Sequence, residues 1–394
     1  MKAGLVFLVL AYVLSQFYRA FLAVMAPALL RDVGVGPEVL SMASGLWFIA
    51  FAAMQIPVGW ALDHVGPRWT ASAMLGLGGA GGALVFAVAQ GPWAIYVAMV
   101  LIGIGCSPVL MASYYIFARV YSPAVFGTLA GAVIGFGSLG NLAGSVPLAM
   151  AVEGFGWRET LTGLAAVTLA VALAIAVFVK DPERPEPTAT GRGSLMDLLK
   201  IPALWFILPM MLVNYAPSAA LRGLWVGPYL GDVYGYDASG IGRITLLMGA
   251  AMIVGNFAYG PMDRVFGTRK WVVLTGNLLG AACLLALWLY PEGNILRTAL
   301  LVAAVGLFGA SFPLVMAHGR SFVPAHLTGR GVTLLNLFGI GGVGFLQFFS
   351  GRMHAGLLAV GYSPTETYGL LFLGLALVLL SGCAVYLFSS DSDV

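Results

Sequence analysis

Apolar residues in this chain gather into runs long enough to cross a bilayer, separated by short polar turns. A hydrocarbon core is spanned by about 20 apolar residues. Twelve such runs can be counted, roughly at 4–30, 40–62, 70–89, 93–117, 125–149, 160–179, 202–230, 238–260, 271–290, 297–317, 330–351 and 366–388. The pattern predicts an all-α membrane protein with twelve transmembrane helices. The sixth and twelfth runs are apolar all round, as lipid-facing helices are. The first carries Tyr12, Ser15, Gln16 and Arg19 at i, i+3, i+4 and i+7, one face of a helix. Asn214, Ser218 and Arg222 form a similar stripe in the seventh. A polar stripe on a spanning helix must face protein or a water-filled cavity.

The pattern is written twice. Residues 27–68 recur 201 positions further on, setting Pro27 on Pro228, Gly34 on Gly235, Gln55 on Asn256, Gly59 on Gly260, Gly66 on Gly267 and Arg68 on Arg269. A second match, at an offset of 205, sets Pro108–Ala112 on Pro313–Ala317 and Phe117 on Phe322. The repeat predicts two pseudo-symmetric six-helix bundles, 1–180 and 201–394, with a solute handled between them. The proline-rich polar stretch from Asp181 to Ser194 reads as a flexible cytoplasmic linker, placed at 181–200.

Composition agrees with a membrane chain: 60% hydrophobic and 9% charged, with a mean hydropathy of +0.95. Soluble domains carry about 25% charged residues. The net charge of +3 points to no nucleic-acid partner. With both termini cytoplasmic, the inner loops and ends collect Lys2, Arg68, Arg119, Lys180, Arg184, Arg192, Lys200, Arg264, Arg269, Lys270, Arg320 and Arg330. The outer side collects Arg31, Arg158, Arg243, Arg297 and Arg352. That bias sets the orientation. The start resembles a signal peptide, but its apolar run is too long, Arg19 interrupts it, and Pro27 has a repeat partner in a helix that cannot be cleaved. The three cysteines make neither a disulfide framework nor a zinc spacing.

Gly135–Gly140, Gly339–Gly344 and Gly76–Gly81 match a dinucleotide-binding glycine pattern, but they sit inside apolar spans, where close helix packing explains them. No catalytic constellation stands out, and the four histidines fall near span ends or loops, so neither an enzyme nor a cofactor is expected. Met248 and Met252 share a face with Thr245 and Asn256. A methionine pair can bind a soft metal such as Cu(I), although gap filling is the more usual role.

GWALDHVGPRW (Gly59 to Trp69) and GPMDRVFGTRK (Gly260 to Lys270) resemble the signature loop of the major facilitator superfamily, and GWRETL (Gly156 to Leu161) is similar to the turn into the sixth helix of many members. The resemblance covers essentially the whole chain and implies a secondary transporter whose two bundles rock about a central site. It implies conformational gating roles for Gly59, Asp63, Gly66 and Arg68, and for Gly260, Asp263, Arg264, Gly267 and Arg269. His64 and Trp69 replace the usual basic residues of the first copy, and Asp263 is one position early. The fourth span lacks the arginine that many proton-coupled members carry, and Phe136 stands where many antiporters have proline. Both departures weigh against proton coupling and drug antiport. Organic-phosphate and organic-anion members place an arginine in the first helix eight residues before a proline, as Arg19 stands before Pro27. Phosphate exchangers carry a second in the seventh helix, where Arg222 is six residues before Pro228.

Arg19 is eleven residues before Leu30, roughly 16 Å from the end of its helix at about 1.5 Å per residue. A central arginine costs ~2.5–3.5 kcal/mol to insert, and the spans supply no clear acid to compensate it. The missing anion is read as the substrate. The substrate-binding candidates are Arg19 and Arg222, with Tyr12, Gln16, Gln55, Asn214, Ser218, Asn256 and Asn336 as polar companions, for which interhelical hydrogen bonding is an equal account. The expectation is a monomeric bacterial inner-membrane carrier of a small organic or inorganic anion. With no acid in the core, exchange or facilitated diffusion is expected over carboxylate-driven proton symport. Efflux of apolar compounds, soft-metal import, and a sensor or assembly factor with a transporter fold remain alternatives.

Overall fold

The computed structural model describes residues 2–120, 123–182, 198–324 and 328–391, without the side chains of Asp63 and a few others. Most of the expected linker, with Arg184 and Arg192, therefore lies outside the described residues, as does His326. Among the described residues the chain is helical and has no strand.

Among the described residues eleven helices are long and apolar enough to cross a membrane, and a bent pair, taken as one span, supplies a twelfth. The bent pair, α1, runs Gly4–Phe17 and Phe21–Val33 with a 50° bend. It is followed by α2 (Pro37–Leu62), α3 (Pro67–Ala87), α4 (Pro92–Phe117), α5 (Ala132–Phe155) and α6 (Trp157–Phe178). Then come α7 (Pro202–Tyr234), α8 (Ala238–Phe266), α9 (Arg269–Leu289), α10 (Ile295–Ser321), α11 (Leu334–Val360) and α12 (Pro364–Tyr386). The residues group into two compact units, Met1–Glu186 with Tyr236–Leu246, and Pro187–Gly235 with Leu247–Val394.

The sequence starts and stops these helices by local means. Proline opens α2, α3, α4, α7 and α12 at a position whose N–H would have no helical partner. Ser363 and Glu366 add a capping box to α12. Gly34 and Gly235 end α1 and α7 with φ of 67°, a left-handed cap that glycine adopts without strain. These two glycines are partners in the repeat.

Inside each unit two helices come into close contact through a glycine. In the first, α5 lies so near α1 that a Cβ on Gly140 would collide with the Val13 carbonyl oxygen. In the second, a Cβ on Gly342 of α11 would collide with the Leu212 carbonyl oxygen of α7. Gly137 and Gly339, three residues earlier in each case, are filled by Tyr12 and Phe312. The two mid-span glycine patterns are thus seats for neighbouring helices. A related pair, Gly103 of α4 against the Trp47 carbonyl and Gly306 of α10 against Met248, repeats the arrangement.

The last helix of each unit is pinned at both ends. Trp157 Nε1 at the start of α6 donates to Asp32 Oδ2 of α1 at 3.0 Å. Just past its other end, Asp181 Oδ1 accepts the Arg68 backbone N–H at 2.8 Å. In the second unit, Tyr368 Oη at the start of α12 donates to Asp232 Oδ2 of α7 at 2.5 Å. Asp391, beyond the other end of α12, accepts the Lys270 N–H at 3.1 Å and the Thr268 hydroxyl. Carboxylates at the first turns of α3 and α9 also sit favourably in those helix dipoles.

Several helices depart from the unbroken spans that hydropathy predicts, α1 and α7 among them. At Tyr18–Ala20 the backbone of α1 makes i→i−3 bonds, Arg19 N–H to the Gln16 carbonyl and Ala20 N–H to the Phe17 carbonyl. In α7 the first segment stops at Asn214, since Pro217 has no N–H to continue the ladder. A π turn follows at Leu221–Trp225. Each candidate arginine therefore sits where its helix is irregular. The glycine seats predict that Gly140→Leu and Gly342→Leu each lower stability by at least ~1–3 kcal/mol through overpacking. Gly341→Ala, which meets open space, should keep the wild-type melting temperature in the same thermal assay.

Candidate functional site

In the first unit the site is built on Arg19. The α1 bend carries its guanidinium over α2, where Cζ stands 5.3 Å from the centre of the Trp47 ring and 4.8 Å from that of Phe51. On the other side of the bend, Tyr18 Oη and Thr168 Oγ1 of α6 share a hydrogen bond of 2.9 Å. Among the described residues no carboxylate is within ion-pair reach of Arg19, and its buried Nε makes no hydrogen bond. A desolvated cation on aromatic faces gains about 2 kcal/mol, which leaves the N–H donors themselves unanswered. Trp47 Nε1 is likewise a buried donor without a partner. Gln16, one turn away, donates to Tyr12 Oη at 3.2 Å and keeps a buried, unbonded Oε1. The predicted stripe Tyr12, Gln16, Arg19 is therefore one continuous surface. Asn141 of α5 contributes another buried unbonded oxygen that the sequence reading passed over.

Gln55 of α2 lies on the same helix as Trp47 and Phe51, but its amide donates to the Phe51 carbonyl of its own helix at 3.2 Å. The repeat mates of Trp47, Phe51 and Gln55 are Met248, Met252 and Asn256. Met248 and Met252 are buried and fill the notch at Gly306, which favours packing over soft-metal binding. Asn256 is half-buried, and so is Asn336 of α11.

In the second unit Arg222 is 3% exposed, inside the π turn of α7. At that depth its side chain is enclosed by protein. Against the same stretch of α7 the structure sets residues of α11 that sequence reasoning missed. Gln347 Nε2 of α11 donates to the Ala220 carbonyl at 3.4 Å, and Trp225 Nε1 donates to Ser350 Oγ at 2.9 Å. The His354 ring lies 5.0 Å from that of Trp225. The signal was available as an i, i+3, i+7 stripe in an apolar helix. Its last member was lost because the apolar run ends near residue 351, whereas α11 continues to Val360.

Asn214 and Ser218 belong to a different cluster. Asn214 Nδ2 donates to Asn277 Oδ1 of α9 and to Ser311 Oγ at the α10 segment, both at 2.8 Å. Asn277 Nδ2 donates in turn to Ser311 at 3.2 Å and to the Val273 carbonyl at 2.8 Å. Ser218 donates to the Tyr215 carbonyl at 3.0 Å and packs on Gly309. A cavity lined by Asn214, Ser218, Asn277 and Gly309 has room for about one water-sized particle. The network ties three helices of one unit together, the interhelical role that sequence alone left level with binding.

The gating candidates form compact loop structures. Gly66 has φ of 100° and lies against Asp181, which a Cβ would strike. The Arg68 Nε donates to the Ala176 carbonyl in the last turn of α6 at 2.5 Å, where a cation is favoured. In the second copy, Asp263 pairs with Arg269 Nε at 3.1 Å and accepts the Arg264 N–H at 2.9 Å, while the Arg264 side chain is exposed. Gly267 turns the chain at φ of 66°. Gly59 and Gly260 meet open space. The Asp63 side chain is outside the described residues.

The sequence model of the Major Facilitator Superfamily matches residues 8–347. The chain belongs to that superfamily, and it is a multi-pass membrane transporter rather than an enzyme. It is 24% identical over 416 residues to a putative tartrate transporter of Agrobacterium vitis, covering 95% of this chain and 88% of the relative. It is 26% identical over 295 residues to the probable sulfoacetate transporter SauU of Cupriavidus necator, covering 68% and 65%. Among solved structures it is similar in fold to a bacterial homologue of the human lysosomal transporter Spinster, inward-facing and unoccupied. The TM-score is 0.82 at 16% identity, over 98% of this chain and 96% of that one.

The polar triad yields a direct expectation. Asn277→Ala removes one of the two acceptors of Asn214 and a donor to Ser311, and should cost about 1–3 kcal/mol of stability, measured as a lowered melting temperature.

Proposed function

We propose that this transporter carries a small organic anion whose acidic group is held by Arg19. The observation that carries the reading is the state of Arg19. It is a partly buried guanidinium stacked on Trp47 and Phe51, with an unbonded Nε and no carboxylate beside it among the described residues. A guanidinium presents a planar fork that matches a carboxylate or a sulfonate oxygen pair, and the acid it lacks would arrive with the solute. The relatives named for tartrate and sulfoacetate support a compact, doubly charged acid. The stripe of Tyr12 and Gln16 offers hydrogen bonds for a hydroxyl or second acidic group. Movement would follow alternating access. The charge bias of the loops supports a bacterial inner-membrane protein with both termini cytoplasmic.

A thermal-shift panel tests the substrate class. A ligand at 100 times its Kd stabilises the folded state by about 2.7 kcal/mol. Tartrate or sulfoacetate should raise the melting temperature of the wild type and not of Arg19→Ala, while amines and Cu(I) leave both unchanged. An anion effect that survives Arg19→Ala, or stabilisation by apolar compounds alone, would contradict the reading.

A further inference from the structure

Buried indole nitrogens in this protein have acceptors, with one exception among the described residues. Trp157 Nε1 donates to Asp32 Oδ2 at 3.0 Å, and Trp225 Nε1 donates to Ser350 Oγ at 2.9 Å. Even the exposed Trp205 reaches the Leu199 carbonyl at 2.9 Å. Trp47 is 1% exposed, and its Nε1 donates to nothing. An indole N–H that is buried normally finds a partner, because a donor without one gives up its bond to water and gains none in return. Trp47 also lies inside the continuous helical segment Pro37–Ala53, whose carbonyls belong to the helix ladder.

The unanswered indole belongs to the Arg19 site. Arg19 Cζ is 5.3 Å from the centre of the Trp47 ring and 4.8 Å from that of Phe51, and the two ring centres are 5.2 Å apart. The three distances make a nearly equilateral triangle, so one guanidinium touches both rings at once. The buried Arg19 Nε is itself unbonded. Two orphan donors, one on α1 and one on α2, therefore meet across a single guanidinium-to-ring contact. In the second copy the position of Trp47 holds Met248, which fills the Gly306 notch and carries no donor. Packing at this position is met by a thioether, and the indole adds an N–H that packing does not use.

We propose that Trp47 Nε1 is a further donor to the acidic group held by Arg19, and that it selects a sulfonate over a carboxylate. The inference rests on the anionic reading of the substrate. A carboxylate on the guanidinium fork lies in the plane of the fork and places both its oxygens there. Its remaining lone pairs lie in that same plane, whereas the indole lies to one side of the guanidinium. A sulfonate is tetrahedral. With two oxygens on the fork, its third oxygen and its carbon stand on opposite faces of the plane, and the third oxygen accepts the indole N–H. A carboxylate leaves that N–H unpaired. A site built to bond an oxygen rejects the analogue without it, because its own buried group then goes unanswered. Net charge cannot make the distinction, since both groups carry the same charge.

Calorimetric titration of the purified full-length protein with sulfoacetate and with malonate tests the proposal. The two acids share one carbon frame, differ by a sulfonate for a carboxylate, and are both dianions near pH 7. Wild type should bind sulfoacetate at least about tenfold more tightly, the worth of one hydrogen bond to a charged group. Trp47→Phe keeps an aromatic face and removes the N–H, and should bring the ratio of the two affinities to about one. A purely structural role for the indole would weaken both acids together and preserve the ratio. Equal binding of the two acids by wild type, tighter binding of malonate, or a preference that persists in Trp47→Phe overturns this inference and leaves the anionic substrate standing. Binding of neither acid overturns both. Should Trp47→Phe fail to fold, the wild-type ratio decides by itself, a value near one refuting the proposal.

Discussion

Backbone meets backbone at two glycines, and the polar apparatus of this transporter depends on it. Gly140 lets α5 rest on the Val13 carbonyl of α1, and Gly342 lets α11 rest on the Leu212 carbonyl of α7. In lipid, helices gain little from the hydrophobic effect, and close van der Waals contact between small residues takes its place. The helices held this way include the two that carry the candidate arginines, Arg19 on α1 and Arg222 on α7. Irregular backbone within a membrane is tolerated only where protein or a wet cavity surrounds it. The α1 bend and the α7 π turn fall on those same well-supported helices.

The two units share a frame and differ in what they place on it. The positions that put Trp47 and Phe51 beneath Arg19 hold Met248 and Met252 in the second copy, where they fill the Gly306 notch. Aromatic faces support a cation, and thioethers simply fill space. The pins on α6 and α12 are kept in kind while their chemistry drifts, an indole donor to Asp32 in one and a phenol donor to Asp232 in the other. Scaffold is conserved between the copies to the level of φ angles, as at Gly34 and Gly235. The candidate binding groups are not, as Arg19 and Arg222 stand at different distances from the paired prolines.

Much of the fold could be read from hydropathy and the 201-residue echo, because both depend on side-chain polarity and repeat spacing. The broken backbones of α1 and α7 could not, since hydropathy is blind to which carbonyl an N–H chooses. The same blindness ended α11 too early: Arg352 and His354 look alike as polar residues closing an apolar run, yet one is exposed and the other buried. Arg19 was legible because a lone deep cation has few explanations. Asn214 was ambiguous because its partner Asn277 is 63 residues away and gives no local signal. Asp181 and Asp391 were hidden for the same reason, reaching 113 and 121 residues back along the chain to cap α3 and α9.

The central claim is that the solute supplies the negative charge that Arg19 lacks. Counterflow of radiolabelled tartrate and sulfoacetate in proteoliposomes tests it most directly, comparing wild type with Arg19→Gln at equal reconstitution. The account predicts saturable counterflow of at least one of these acids in wild type, reduced to the protein-free background by Arg19→Gln. Undiminished flux in the variant, or wild-type flux confined to neutral or cationic solutes, would contradict it.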